Sequence, residues 1–208
     1  SILFVTNQNY FKMLFYTIVL PIGFLLLFFT FFIVKQQSAA VVERFGKFVS
    51  VRQSGLQLKI PIIDNVAGRL SLRIQQLDVV VETKTKDDVF VKLKVSVQFK
   101  VIKDKVYDAF YKLDNPADQI TSFIFDVVRA EVPKLILDDV FIKKDDIAIA
   151  VKGEIQDAMT EYGFQIIKTL VTDIDPDAQV KESMNRINAS EREKVAAQFE
   201  GEAQKILI

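Results

Sequence analysis

VFVKLKVSVQFKV, from Val89 to Val101, decides how the chain is read. Val89, Val91, Leu93, Val95, Val97, Phe99 and Val101 alternate with Lys92, Lys94, Ser96, Gln98 and Lys100. Side chains alternate across a strand, so this pattern predicts a long antiparallel strand with one face in a core and the other in water. On its N-terminal side, Lys84 to Asp88 reads as a charged, solvated turn and Arg69 to Glu82 as a further strand. Before these, Leu56, Leu58, Ile60 and Ile62 alternate with Gln57, Lys59 and Pro61, and Ala40–Phe45 and Phe48–Arg52 flank a Gly46-Lys47 turn. Gly55 reads as a turn before its strand and Pro61 as a stop to ladder donation.

On its C-terminal side the period changes from two to three and four. Val106, Phe110 and Leu113 suggest one helix, and Asn115-Pro116 opens a second with Ile120, Phe123, Ile124, Val127 and Val128 inward, ended or bent at Pro133. A third carries Ile147, Val151, Ile155, Ala158 and Tyr162, with Gly163 placed as its C′ residue. Phe164 to Ile174 returns to strand, and Asp175-Pro176 starts a helix that meets no stop signal. On this helix Met184, Val195 and Ile206 recur at 11 residues, with Val180, Ile187, Phe199 and Ala203 on the same stripe, the spacing of a straight or slightly right-handed coiled coil. The mixed charges from Glu191 to Lys194 suit its flank. The helix reads as the beginning of a longer coiled coil, with an ordinary surface helix docked on its own domain as the alternative.

Far upstream, the 22 residues from Met13 to Val34 carry no charge. As a helix they would reach ~33 Å against a hydrocarbon layer of ~30 Å, so a transmembrane segment is expected over residues 10–35. Its anchoring side chains would include Phe11, Leu14, Phe15, Pro21, Leu26, Phe29 and Phe32. Pro21 and Gly23 allow either a kinked single span or a shallow hairpin on one side. Lys12 alone precedes the run, whereas Lys35, Arg44, Lys47 and Arg52 follow it, which places the C-terminal part in the cytoplasm as a single-pass protein. LLLFFTFF, Leu25 to Phe32, offers no cleavage site.

Composition removes most chemistry. Lys and Arg total 27, as do Asp and Glu, and no long basic cluster occurs, so no nucleic acid is expected as a partner. Cysteine and histidine are both missing from the 208 residues, which removes disulfides, zinc sites and every His-based triad. Seven glycines form neither a phosphate loop nor a dinucleotide fingerprint. Only a Ser/Lys dyad or a carboxylate site survives, and the expectation is a protein that is not an enzyme and holds no cofactor or metal.

Several stretches are familiar together. ERFGKF (Glu43–Phe48) and GLQLKIPIID (Gly55–Asp64) resemble the opening hairpin and following strand of the stomatin, prohibitin and flotillin superfamily, known as SPFH or band 7. SLRIQQLDVVVETKTKDDVFV (Ser71–Val91), FDVVRAEVPKLILDDVF (Phe125–Phe141) and YGFQIIKTLVTDIDPD (Tyr162–Asp177) resemble in particular its hypersensitive-induced reaction branch. The resemblance runs over nearly all of residues 39–200. It implies an α+β protein: a transmembrane segment, a β-rich SPFH1 subdomain (36–104), an α/β SPFH2 subdomain (105–175), then the start of a coiled-coil helix (176–208).

The resemblance also implies function. Such proteins are scaffolds that homo-oligomerise into large membrane-attached rings or cages, so membrane lipids and further copies of the chain are the expected partners. A cage that regulates a membrane protease or channel is the alternative. The first subdomain would lie against the membrane, making Leu56, Leu58, Ile60, Ile62 and Ile63 candidates to face it, as an alternative to filling the β core. Val180, Met184, Ile187, Val195, Phe199, Ala203 and Ile206 would face neighbouring copies. The plant branch resembles acylated proteins with N-terminal cysteines; this chain has none, and its apolar run takes over the anchoring role.

Overall fold

The computed structural model describes residues 13, 15–19, 21–24 and 27–206, with the backbone alone described from 200 onward. Phe11, Leu14 and Leu26 lie outside the described residues. The described positions between 13 and 30 are helical, and the chain then turns into strand at Phe31. This corrects the expected 10–35 helix. Phe31–Val34 forms β1, because a partner strand, β4 (Gly55–Leu58), offers its open edge to those four residues. Among the described residues no helix is long and apolar enough to cross a membrane.

The remaining strands are β2 (Ser38–Arg44), β3 (Lys47–Arg52), β5 (Asp64–Ser71), β6 (Gln75–Lys84), β7 (Phe90–Val101) and β8 (Phe164–Pro176). They make three sheets with orders β1-β4, β3-β2-β5 and β6-β7-β8. The helices are α1 (Val106–Tyr111), α2 (Pro116–Glu131), α3 (Leu137–Ile142), α4 (Lys144–Glu161) and α5 (Ala178–Ile206). The result is α+β. It divides into two compact units, each discontinuous in sequence. The first takes the chain up to Gln75 with Phe99–Asp114 and Met159–Gln165; the second takes Gln76–Gln98, Asn115–Ala158 and Ile166 onward.

In the first unit, β2 is the central strand, and Ala39, Ala40, Val41 and Val42 along it are buried. Gly68 on β5 carries no side chain because the ring of Phe110 from α1 occupies the place of its Cβ. Gly163 is indispensable in a second way. Its φ is +87°, and a Cβ there would come within 2.5 Å of the Lys105 carbonyl oxygen. Its own carbonyl accepts the Ile102 N–H at 2.9 Å. The expected C′ glycine thus also sets a close backbone crossing.

In the second unit, the odd-numbered residues of β7 from Val91 to Val97 are buried, together with Val79 and Val81 of β6. The helices bury Ile120, Ile124, Val127 and Val128 from α2, Leu137 and Val140 from α3, and Ile147, Val151 and Ile155 from α4. Asn115 caps α2 as expected, its side chain accepting from the Ala117 N–H at 3.1 Å. Helix α3 is an addition to the expected elements; the Val132–Lys134 3₁₀ turn around Pro133 breaks the register before it. In the turn before β7 the charged residues Lys84, Lys86, Asp87 and Asp88 are exposed, while its backbone is tied inward. Thr85 is buried, Lys86 N–H donates to the Leu135 carbonyl at 2.8 Å, and Asp87 accepts from the Leu137 N–H at 3.1 Å.

Three further boundaries move. The β2-β3 hairpin turns on Phe45-Gly46, with Arg44 opposite Lys47, one residue earlier than read from sequence. The Arg69–Glu82 strand is two strands, parted at residues 72–74. The last helix starts at Ala178 because β8 runs through Pro176, and Asp177 rather than Asp175 caps it, accepting from the Gln179 N–H at 3.0 Å.

Candidate membrane-contact surface

Strand pairing places β1 antiparallel to β4 with Phe31 opposite Leu58 and Ile33 opposite Leu56. These four side chains share one face of the two-stranded sheet, because residues two apart on a strand point the same way. All four are exposed, Ile33 at 69% and Leu56 at 66%. The opposite face carries Val34, which is 2% exposed, and the half-buried Phe32. Burial is therefore one-sided, and the side left open is wholly apolar. The sheet continues directly from the helical positions, where Phe15, Pro21 and Phe29, expected as anchoring residues, are also exposed. Lys59 N–H donates to the Thr30 carbonyl at 2.8 Å, tying the end of β4 to the last helical residue.

Beyond Leu58 the expected alternation stops. Ile60 to Asp64 is a turn rather than a continued strand, since Pro61 has no N–H to give a ladder and Ile62 adopts a φ of +73°. Ile62 is 91% exposed, and Ile60 and Ile63 are exposed as well. One residue holds this turn. The Asp64 N–H donates to the Ile60 carbonyl at 2.9 Å, and the Asp64 carboxylate accepts from the Ile60 N–H at 2.9 Å. The same carboxylate accepts from Arg44 Nε at 2.8 Å. The hydrogen bond from Arg44 and that from the Ile60 amide hold the Asp64 carboxyl below its usual range, against the opposing effect of burial. Neither Arg44 nor Asp64 stands out in the sequence, where they are twenty residues apart.

On α5, Val180 and Met184 are half-buried, while Ile187, Val195 and Phe199 are exposed. At 3.6 residues per turn these five fall within a sector of about 120°. Ala203 and Ile206 lie in the last turns, where only backbone is described.

On β7 the buried Ser96 bears on the Ser/Lys expectation. Ser96 Oγ donates to Asp78 Oδ1 at 2.7 Å, and Lys94 Nζ lies 3.3 Å from Asp78 Oδ2. Hydrogen bonds from Ser96 and then Gln76 hold the Asp78 carboxyl below its usual range. Ser96 and Lys94 thus both meet Asp78, which ties β6 to β7. Among the described residues no group of three or more acidic side chains is placed to hold a metal.

The SPFH domain / Band 7 family model matches residues 32–205. The chain belongs to this family. Among curated relatives, Hypersensitive-induced response protein 4 of Arabidopsis thaliana is 46% identical over 175 residues, covering 84% of this chain and 60% of that protein. Stomatin-like protein stl-1 of Caenorhabditis elegans is 31% identical over 170 residues, covering 81% and 52%. Mitochondrial Stomatin-like protein 2 of Homo sapiens is 29% identical over 170 residues, covering 81% and 47%. The chain therefore spans about half to three fifths of the length of these SPFH relatives. The family match begins at Phe32, inside β1, so the apolar helical positions precede the matched domain.

Proposed function

We propose that the protein is a non-enzymatic membrane scaffold whose copies assemble into a ring or cage that organises a patch of bilayer. The open face of Phe31, Ile33, Leu56 and Leu58 carries this reading, because a β-sheet face with four exposed apolar residues and no polar one is poorly suited to water. It continues an uncharged helical segment, so one apolar surface serves both as anchor and as seat for the first unit. The segment of residues 13–30 sits in the bilayer and the charged units stand in the cytoplasm. Helix α5 supplies the contacts between copies through the stripe from Val180 to Phe199. Control of a membrane protease or channel would be a use of the same cage.

Purification of the full chain in mild detergent tests the proposal. The expected product is a particle of many copies with retained phospholipid and no second protein in stoichiometric amount. A monomer would contradict the scaffold, and a stoichiometric protease would transfer the role to its regulation.

A further inference from the structure

Two exposed apolar residues stand at the same end of the β3-β2-β5 sheet, and each has a backbone conformation that its side chain disfavours. Phe45 and Gly46 form the two-residue β2-β3 turn with φ of +50° and +77°. A turn with positive φ at both central positions favours Asn or Asp before Gly, yet Phe stands there. Ile62, a β-branched residue, holds a φ of +73° where Gly or Asn would be at ease. Phe45 is 82% exposed and Ile62 91%, so neither contributes to the core. The fold bears strain at both positions and gains no burial from either.

The strand register brings them together. Arg44, which precedes Phe45, pairs across β2-β5 with Asp64, two residues after Ile62. The Arg44–Asp64 ion pair locks these two chain reversals side by side, and the Asp64 carboxylate fixes the Ile60 amide of the second. The Lys59 N–H bond to the Thr30 carbonyl attaches that same turn to the end of the apolar helical segment. Lys47 and Lys59 flank the two tips, as cations do where an apolar wedge enters beneath phosphate headgroups.

We propose that Phe45 and Ile62 are a paired wedge inserted into the headgroup–acyl boundary of a phospholipid bilayer, with Arg44–Asp64 as the clasp that sets their spacing. The proposal rests on the reading that the first unit lies on the membrane and adds an insertion site to it. A bilayer fits better than another copy of the chain because the tips are continuous with the uncharged segment and edged by lysines. In the wedge, strain and exposure are offset by burial of both side chains among acyl chains.

The chain has no tryptophan, so a single substitution supplies a unique fluorophore. The full chain carrying Phe45→Trp, Ile62→Trp or Leu58→Trp is reconstituted into phosphatidylcholine vesicles with or without bromine in the upper acyl chains. The wedge predicts blue-shifted emission from both tip variants, quenched severalfold by the brominated lipid. Quenching at Leu58→Trp alone would overturn the wedge while leaving the membrane seat intact. Quenching at none of the three would overturn both. Blue-shifted tip emission without bromine quenching would place the tips against another protein surface and also overturn the wedge. Phe45→Asn supplies a second readout: its melting temperature in detergent should rise, and a fall would show that Phe45 serves the fold itself.

Discussion

Arg44 Nε lies 2.8 Å from Asp64 Oδ1, joining the last residue of β2 to the first of β5. Asp64 is buried, and its carboxylate also receives the Ile60 amide, so one side chain satisfies a cation and a turn. The exposed apolar turn is thereby fixed from beneath by polar contacts.

This contact makes acid stability a readout of the turn. The Asp64 carboxyl lies below its ordinary value in the folded state. A carboxyl depressed by folding contributes fully above its unfolded value of about 3.9, and the contribution disappears as pH falls through the folded value. The wild-type melting temperature should therefore drop below about pH 4. Asp64→Asn should start lower at neutral pH and lose less on acidification. Thermal unfolding across a pH series checks both, and equal acid losses in the two proteins would remove Asp64 from the account.

Two glycines should respond in opposite directions. Gly163→Ala meets a left-handed φ and backbone atoms of Lys105 and Ala109, so a loss of about 1–3 kcal/mol is expected from strain, with overlap adding to it. Gly153 lies within α4, and a methyl group added there would meet nothing within 4 Å. Gly153→Ala should gain about 0.5–1 kcal/mol from helix propensity. Denaturant midpoints at constant m-value measure both.

Core truncation sets the scale for these effects. Leu93 on β7 is 0% exposed, so Leu93→Ala should cost about 2–5 kcal/mol in the same unfolding assay. A loss below about 1 kcal/mol would mean that the second unit's core relaxes around the missing atoms.

Much of the fold is legible because periodicity reports burial. The alternation of β7 names its buried face residue by residue, and Asn115-Pro116 names the start of α2, since both signals are local. Boundaries that depend on distant partners are not legible in this way. Phe31–Val34 is as apolar as the residues before it, and only β4, more than twenty residues later, makes it a strand. On α4 the spacing of three and four selects Ala158, whereas its neighbour Met159 is the fully buried residue. The Arg44–Asp64 contact needs the β2-β5 register, which no local pattern encodes. Phe45-Gly46 does carry a signal, since any residue before Gly in a two-residue hairpin turn is a candidate for positive φ.

Topology separates anchoring modes. From the basic excess after Val34, a reporter near residue 120 is expected in the cytoplasm, and one ahead of Lys12 on the opposite side if the segment crosses. Protease protection of the two reporters reads the result. Both on the cytoplasmic side would mean that the segment enters and leaves on one face through Pro21 and Gly23.

Assembly through α5 is the central claim, and particle mass in gentle detergent tests it most directly. Val195→Asp with Phe199→Asp puts charges on the exposed stripe and removes burial of about 1.5–3 kcal/mol for each large side chain at every interface. Both residues are exposed in the single chain, so the variant should keep its melting temperature and its membrane attachment. The account predicts a large particle for the wild type and small species for the double variant. A double variant that keeps the wild-type mass, or a wild type that is monomeric, would contradict it.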